Sequence, residues 1–338
     1  MTRARDFADL AGSADAGGLT GRNLIINPSG AVDQRGGSST INEYSVDRWR
    51  SFGGPGGFTI SQRTDAGEGD GNAIRFHRTA GNSQTSAIGI AQGIETKNSK
   101  FLAGKTVILS FRARKGADWS PTNFDAIIYS GEGTDENPVG MTNMKTDIIV
   151  NDASLTTSFQ TFTASVTIES DKTQLTVAFL WTPSGTAGAA DYVDIREVQL
   201  ELGEKATPFE HRSFGDELAR CQRYFFQMRE GSGEFTQFGH GRFFSTSAGN
   251  ALIRFPQCMR ANPDLTALGA TSDYDFSPTN LPQSGQVVTT ANAAGSTADV
   301  IGMAVGNNFS SVTTGAMYVL GGNAGTGGAA GLQFDAEL

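Results

Sequence analysis

The chain has 338 residues and a mass of 35.6 kDa, room for roughly two domains of about 150 residues each, so a single disulfide-stapled miniature fold is excluded. A net charge of −9 and a pI near 4.9 leave no basic footprint for nucleic acid, and no run approaches the ~18 consecutive apolar residues of a membrane span. The 43 glycines follow no collagen-like period and point to many tight turns, a β-rich trait.

The start, Met1-Thr2-Arg3-Ala4-Arg5, is basic but has no apolar run behind it, so no secretory signal is expected. A short helical stretch around Ala4 to Ala11 and the Gly/Ala/Ser/Asp run Gly12 to Gly21 mark residues 1–22 as an attachment arm or linker. From Asn23 onward the pattern changes to period-two alternation, the mark of half-buried strands. Val107, Leu109, Phe111 and Ala113 share one face, with Thr106, Ser110, Arg112 and Arg114 on the other. Phe162 to Ile168 and Leu175 to Trp181 alternate in the same way, and weaker strands fit Phe58–Ile60, Ile74–Phe76, Ile88–Ile90 and Phe124–Tyr129. In the last strand of the series Val193 and Ile195 hold one phase while Val198, Leu200 and Leu202 hold the other, so a β-bulge is expected near Arg196-Glu197. These strands predict an antiparallel jelly-roll sandwich over residues 23–211, with Asn23–Asn27 and Val198–Leu202 both in its sheets.

Over 212–228 the period becomes helical, with Phe214, Leu218, Cys221 and Phe225 recurring behind a Ser213/Asp216 capping pattern. Alternation returns at Ala251–Phe255, Ile301–Val305 and Leu332–Leu338, so residues 229–338 read as a second, smaller β-sandwich-like domain. The expected class is all-β. No repeat of 20–50 residues is visible, which argues against a propeller or solenoid.

Cys221 and Cys258 lack a CxxC or nearby His and read as two buried free thiols, with a single bridge as the alternative. His77 falls on the polar phase beside Arg75, His211 at the domain junction, and His240 in a turn between two glycines; none has the spacing of a triad or a zinc motif. The Gly321–Gly328 run lacks the Lys-Ser/Thr of a phosphate loop and reads as a hairpin or surface loop. Asp65, Glu68 and Asp70, and likewise Asp135, sit in oxygen-rich turns that suit a structural Ca²⁺, although turns select such residues for backbone reasons too. No other cofactor is expected. Trp49, Trp119 and Tyr129 pair a broad apolar ring with a polar edge and are the candidate glycan-stacking residues, with Asp118 beside Trp119 in its loop; Trp181 continues a core phase.

Asn23-Leu24-Ile25-Ile26-Asn27, then Gln34-Arg35-Gly36, then Tyr44-Ser45-Val46-Asp47-Arg48-Trp49, resemble the opening of jelly-roll modules in bacteriophage and prophage tail-fibre or head-fibre (spike) proteins. Val198–Gly203 is similar to the strand on which such modules close, Thr207–Glu210 to the segment that follows, and Glu217–Phe225 to the helix after it. Ile253-Arg254-Phe255-Pro256 with Met259–Pro263 resembles the first strands of their compact C-terminal domain. The likeness covers about residues 23–265, and the chain departs from it at Val32-Asp33, where an aromatic is usual before Gln-Arg-Gly.

The resemblance implies a carbohydrate-binding-type sandwich in a non-enzymatic virion protein. Such a protein would be made in the bacterial cytoplasm, displayed on the particle exterior, joined to other virion proteins through the arm, and in contact with host surface polysaccharide. It also implies a homotrimer. Phe214, Leu218, Cys221 and Phe225 are the expected oligomer contact, the competing reading being that the helix plugs the seam between the two domains. A head decoration or spike protein without an essential receptor, and a glycan-degrading enzyme with two carboxylates across the scissile bond, are the alternatives.

Overall fold

A computed structural model describes residues 21–37, 41–54, 56–67, 71–121, 123–151, 153–229, 236–243, 248–269, 273–277, 300–306, 317–322 and 330–338. The attachment arm up to residue 20, together with Glu68 and Asp70 and the 323–328 part of the glycine-rich run, lies outside them. The chain divides into two compact units, residues 1–217 with Leu338 and residues 218–337.

The first unit is a sandwich of two five-stranded antiparallel sheets. Sheet I takes the order β1 (Arg50–Gly53), β4 (Ile88–Ile94), β9 (Gln174–Trp181), β6 (Asp125–Gly131) and β7 (Lys145–Val150). Sheet II takes β2 (Phe58–Arg63), β3 (Ala73–Arg78), β10 (Tyr192–Leu202), β5 (Thr106–Lys115) and β8 (Gln160–Thr167). The apolar phase seen in sequence is the inner face: Val107, Leu109, Phe111 and Ala113 meet Leu175, Val177, Phe179 and Trp181 in one buried cluster. Aromatic edges interlock there, with Phe76 and Trp181 ring centroids 4.6 Å apart and Phe111 and Phe179 4.8 Å apart. The expected bulge is present. Pairing of β10 with β5 shifts between Arg196 and Gln199 around Glu197 at φ 51°, so Val193, Ile195, Val198 and Leu200 all reach the core.

Asn23–Asn27 is not a strand, contrary to the expectation, although it lies against β10 through Leu24 N–H donating to the Leu200 carbonyl at 3.0 Å. Side chains take the place of a ladder. The Asn23 amide donates to the Val198 carbonyl and its oxygen accepts from Leu200 N–H, while Gln92 both accepts from and donates to the main chain of Ile26 at 2.8 Å. Glu210 accepts the Asn23 N–H at 2.8 Å and the Gly21 N–H at 2.6 Å, Glu217 accepts that of Asn27 at 2.5 Å, and Arg212 donates to the carbonyls of Ile25 and Asn23. Asn27 itself sits at φ 55°, a region Asn tolerates better than most residues. Its side chain ties Val32 to Asp47 by donating to both carbonyls, and its own carbonyl accepts from Trp49 Nε1 at 2.9 Å.

A helix α2 follows the short α1 (Thr96–Ser99) and spans Phe214–Gln222; the Ser213 hydroxyl caps it by accepting the Asp216 N–H at 3.1 Å. It is shorter than the helical period predicts. Phe225 fits the stripe by spacing, but it opens β11 (Phe225–Arg229), which finds a full ladder of partners in β18 (Gly331–Asp335) about a hundred residues on. The second unit has a three-stranded sheet, β11, β18 and β14 (Asp264–Leu268), and a five-stranded one. The latter runs β15 (Tyr274–Ser277), β17 (Met317–Gly322), β12 (Thr236–Phe243), β13 (Ala248–Arg254) and β16 (Val300–Gly306). Phe238, Ile253, Phe255, Tyr274, Leu320 and Phe334 are among its buried core.

Replacing Asn27 with Ala removes three side-chain hydrogen bonds and leaves a β-carbon residue at positive φ without a local partner, so the first unit should lose about 2–4 kcal/mol. Denaturant titration followed by tryptophan fluorescence reads this directly.

Burial pushes the Glu210 carboxyl upward, but the Asn23 and Gly21 N–H groups and the Arg212 and Arg22 charges outweigh it and hold it below the ordinary value of 4.5. A carboxylate lowered on folding adds stability that is complete above 4.5 and is lost as the pH falls through the folded value. A Glu210→Gln variant should therefore melt lower than the parent at neutral pH, with the gap closing as the pH is taken below 4.5. A gap that stays constant across that range would contradict the assignment.

Candidate functional site

The two outer faces of the sandwich differ. That of sheet I is sealed: Phe52, Ala91, Ile127, Tyr129, Met141 and Ala178 form a second buried cluster, with Val139 and Leu180 packed on it. The side chain at Gly89 is replaced by the Phe52 ring, and Pro138 covers Gly93 in the same way; a methyl group at either glycine would overlap them.

Sheet II has a polar outer face, partly covered by Phe159, on which Arg75, His77, Arg112, Arg114 and Tyr192 stay half-buried. Its register puts Arg75, Asp194 and Arg114 side by side in one row, Arg196 beside Arg112 in the next, and Tyr192 beside His77 on the other flank. The Asp194 carboxylate is fully buried and accepts from Arg75 twice, at 2.6 and 2.8 Å, and from Arg114 Nε at 2.8 Å. This arrangement follows from burial, since a carboxylate removed from water needs charged donors on its free lone pairs. The Arg75 guanidinium lies 3.5 Å from the centroid of the Tyr192 ring. Burial works against its charge, but the hydrogen bonds and charge of Asp194 prevail and raise its pKa above the ordinary arginine value. Phe159 lies over the neighbouring guanidiniums, 4.6 Å from that of Arg114 and 5.5 Å from those of Arg112 and Arg196. Four arginines and a tyrosine are thus held on this face, of which Arg75, Arg112, Arg114 and Tyr192 are half-buried and Arg196 is buried. Among the described residues Arg114 hydrogen-bonds through Nε alone.

The sequence-derived site residues are not brought together. Trp49 is 0% exposed inside the sandwich, its ring against Phe179, so it offers no stacking face. Tyr129 is 8% exposed on the sealed side, edge-on to Phe52, and desolvation raises its phenol pKa. Trp119 is half-buried and completes the core edge against Trp181 and Phe124, at 5.7 and 6.5 Å. Asp118 is exposed but accepts the Ala190 N–H at 2.8 Å, joining two loops. The sequence places each aromatic in a loop or strand but says nothing of what lies above it; that packing decides the matter.

Asp65 is paired with Arg63 at 2.6 Å, and Asp135 accepts the Thr96 N–H at 2.7 Å at the start of α1. Among the described residues no three His, Cys, Asp or Glu side chains converge as a metal site would require. Both cysteines are free, but Cys258 is exposed where burial was expected. His240 lies within β12 and not in a turn, since the flanking glycines allow a strand with a bulge at Gln237/Gly239. In the expected oligomer contact, Cys221 and Phe225 are buried within their own chain and Leu218 is half-buried, which leaves Phe214, 61% exposed.

No family profile and no curated protein matches the chain. Among solved structures, the CBM22-1 xylan-binding domain from Paenibacillus barcinonensis Xyn10C is 14% identical with a TM-score of 0.34, covering 49% of this chain and 92% of its own. The enzymatically active domain of tailspike protein 4 from bacteriophage CBA120 is 12% identical with a TM-score of 0.36, over 54% of this chain and 22% of its own. The Stig cyclase Fisc from Fischerella sp. TAU is 12% identical with a TM-score of 0.33, over 54% of this chain and 98% of its own. At these scores the likeness carries no information about ligand or chemistry.

Because Trp119 fills the core edge, Trp119→Ala should cost the first unit about 2–3 kcal/mol, somewhat less than a fully buried tryptophan. Thermal unfolding monitored by near-UV circular dichroism checks it, and an unchanged midpoint would show that the ring contributes nothing to packing.

Proposed function

We propose that the chain is a structural, non-enzymatic fibre or spike protein of a phage or phage-like particle and that it binds host surface glycan through the polar outer face of sheet II. The observation that carries the reading is the row Arg75–Asp194–Arg114 flanked by Tyr192 and His77. Glycan hydroxyls are recognised by planar, fixed donors beside an aromatic ring, and donors held before binding lose little entropy on complex formation. The sealed outer face of sheet I leaves sheet II as the side of the sandwich able to take a flat oligosaccharide. The virion role is supported by the fibre-like residues at 23–49 and 198–225.

In this reading residues 1–22 attach the protein to other virion components, and the particle exterior is where it works. A homotrimer is part of the proposal, with Phe214 as the exposed apolar side chain of α2 available for the contact.

Retention of the full chain on immobilised capsular and O-antigen polysaccharides from a panel of bacteria tests the site. On a polysaccharide that retains the parent, Arg114→Gln should weaken binding roughly ten- to a hundredfold, the effect of one charge-assisted hydrogen bond. Tyr192→Ala should do the same while Trp49→Phe leaves affinity unchanged. Full retention by both Arg114→Gln and Tyr192→Ala would sink the face as the site, and release of reducing sugar would sink the non-enzymatic assignment.

A further inference from the structure

In the second unit the outer face of the five-stranded sheet carries a groove of about 620 Å³ over β12, β13 and β17. Leu252 and Met317 stand in it 60% and 67% exposed, unusual for side chains of that size. Gln237, His240, Arg242 and Arg254 supply its polar walls, and among the described residues that line it none is acidic. That is notable in a chain of net charge −9. No lysine occurs between Leu218 and Glu337, so its permanently charged basic side chains are all arginines, the residue whose rigid fork matches a carboxylate with two hydrogen bonds. Neither Arg242 nor Arg254 makes an ion pair with a described residue.

The register sets their spacing. His240 lies beside Leu252 and Val319, and Arg242 beside Asn250 and Met317; Arg254 comes one pleat beyond Leu252 on the opposite side from Asn250. Four positions of strand separate the two arginines along the groove, about 13 Å, with His240 and Leu252 at the level between them and Met317 beside Arg242 on its other flank. Two guanidiniums so far apart do not serve one small anion. They suit a chain that bears carboxylates at intervals.

We infer that this groove binds an anionic polysaccharide segment of the uronic-acid class, its carboxylates on Arg242 and Arg254, the apolar face of the intervening sugar on Leu252 and that of the sugar next to Arg242 on Met317. A peptide fits less well, because β12 is already paired on both sides by β13 and β17, and β13 by β16, so no strand edge is offered for main-chain pairing. A second copy seated symmetrically would set arginine against arginine. The groove is lined by residues of the second unit alone, none of them on sheet II.

Titration calorimetry of the full chain with tetragalacturonate, and with its fully methyl-esterified form as the neutral control, tests the inference. The acid form should bind at least tenfold more tightly than the ester and weaken as salt is raised. The Arg242→Gln/Arg254→Gln double variant should lose that preference, while Arg242→Lys/Arg254→Lys restores part of it through charge without the fork. Arg114→Gln, on sheet II, should leave acid binding unchanged. Equal affinity for acid and ester, or a double variant that binds like the parent, overturns the inference. So does light scattering in which the parent self-associates through this face and the double variant does not, because the groove would then hold a second copy. Loss of acid binding in Arg114→Gln alone overturns the groove while leaving the sheet II reading intact.

Discussion

The first unit depends on how the main-chain groups of residues 21–27 are satisfied. The segment lies against Val198–Leu200 of β10 with Asn23, Ile25 and Asn27 buried, where main-chain N–H and carbonyl groups need partners from the protein, yet it forms no strand. Five side chains do the pairing instead: Asn23, Gln92, Glu210, Arg212 and Glu217. They come from the beginning, the middle and the end of the unit, so satisfying one short segment joins its first residues to β4, to β10 and to the start of α2. Each ionised member also has a partner of opposite charge or a main-chain donor, which makes the burial of Glu210 and Glu217 tolerable.

This explains why the residues of 23–49 are readable in sequence while the polar row of sheet II is not. Asn27, Asp47, Arg48 and Trp49 are fixed by the geometry of this junction: Asp47 accepts from the main chain and side chain of Gln34, buried Arg48 at φ 70° donates to the Gly93 carbonyl, and Trp49 donates to Asn27. They report a fold. Arg75, Arg114, Tyr192 and Asp194, in contrast, occupy the polar phase of three strands, where in sequence they look like ordinary solvent-facing positions. Only strand pairing across 119 residues on one side and 80 on the other shows that two arginines flank one buried carboxylate.

The same distinction runs through the strands. Period-two alternation reveals β5, β8, β9 and β10, including the slip at Glu197, because each puts one apolar phase into the main core while the other phase carries mainly small or polar side chains, whether exposed as in β8 or covered as in β9 and β10. It fails for β1, which is four residues long, and for β7, an edge strand whose Ile148 faces outward. It misleads at Phe225, where a helical stripe of four continues by spacing although the fourth member belongs to a strand. Periodicity describes a residue's own element, and these cases are settled by a distant partner.

Charge links the two outer faces. A chain of net charge −9 is repelled as a whole by an anionic surface, but that field is screened within about 8 Å at physiological ionic strength. What a ligand meets on contact is local. On sheet II the guanidiniums are largely compensated by Asp194 and Glu197, so their remaining donors suit uncharged hydroxyls. On the second unit Arg242 and Arg254 carry no such compensation among the described residues, and their charge is left for a ligand to neutralise. Arginine therefore supplies directional donors on one sheet and net charge on the other, and it is the presence or absence of a buried carboxylate beneath it that separates the two roles.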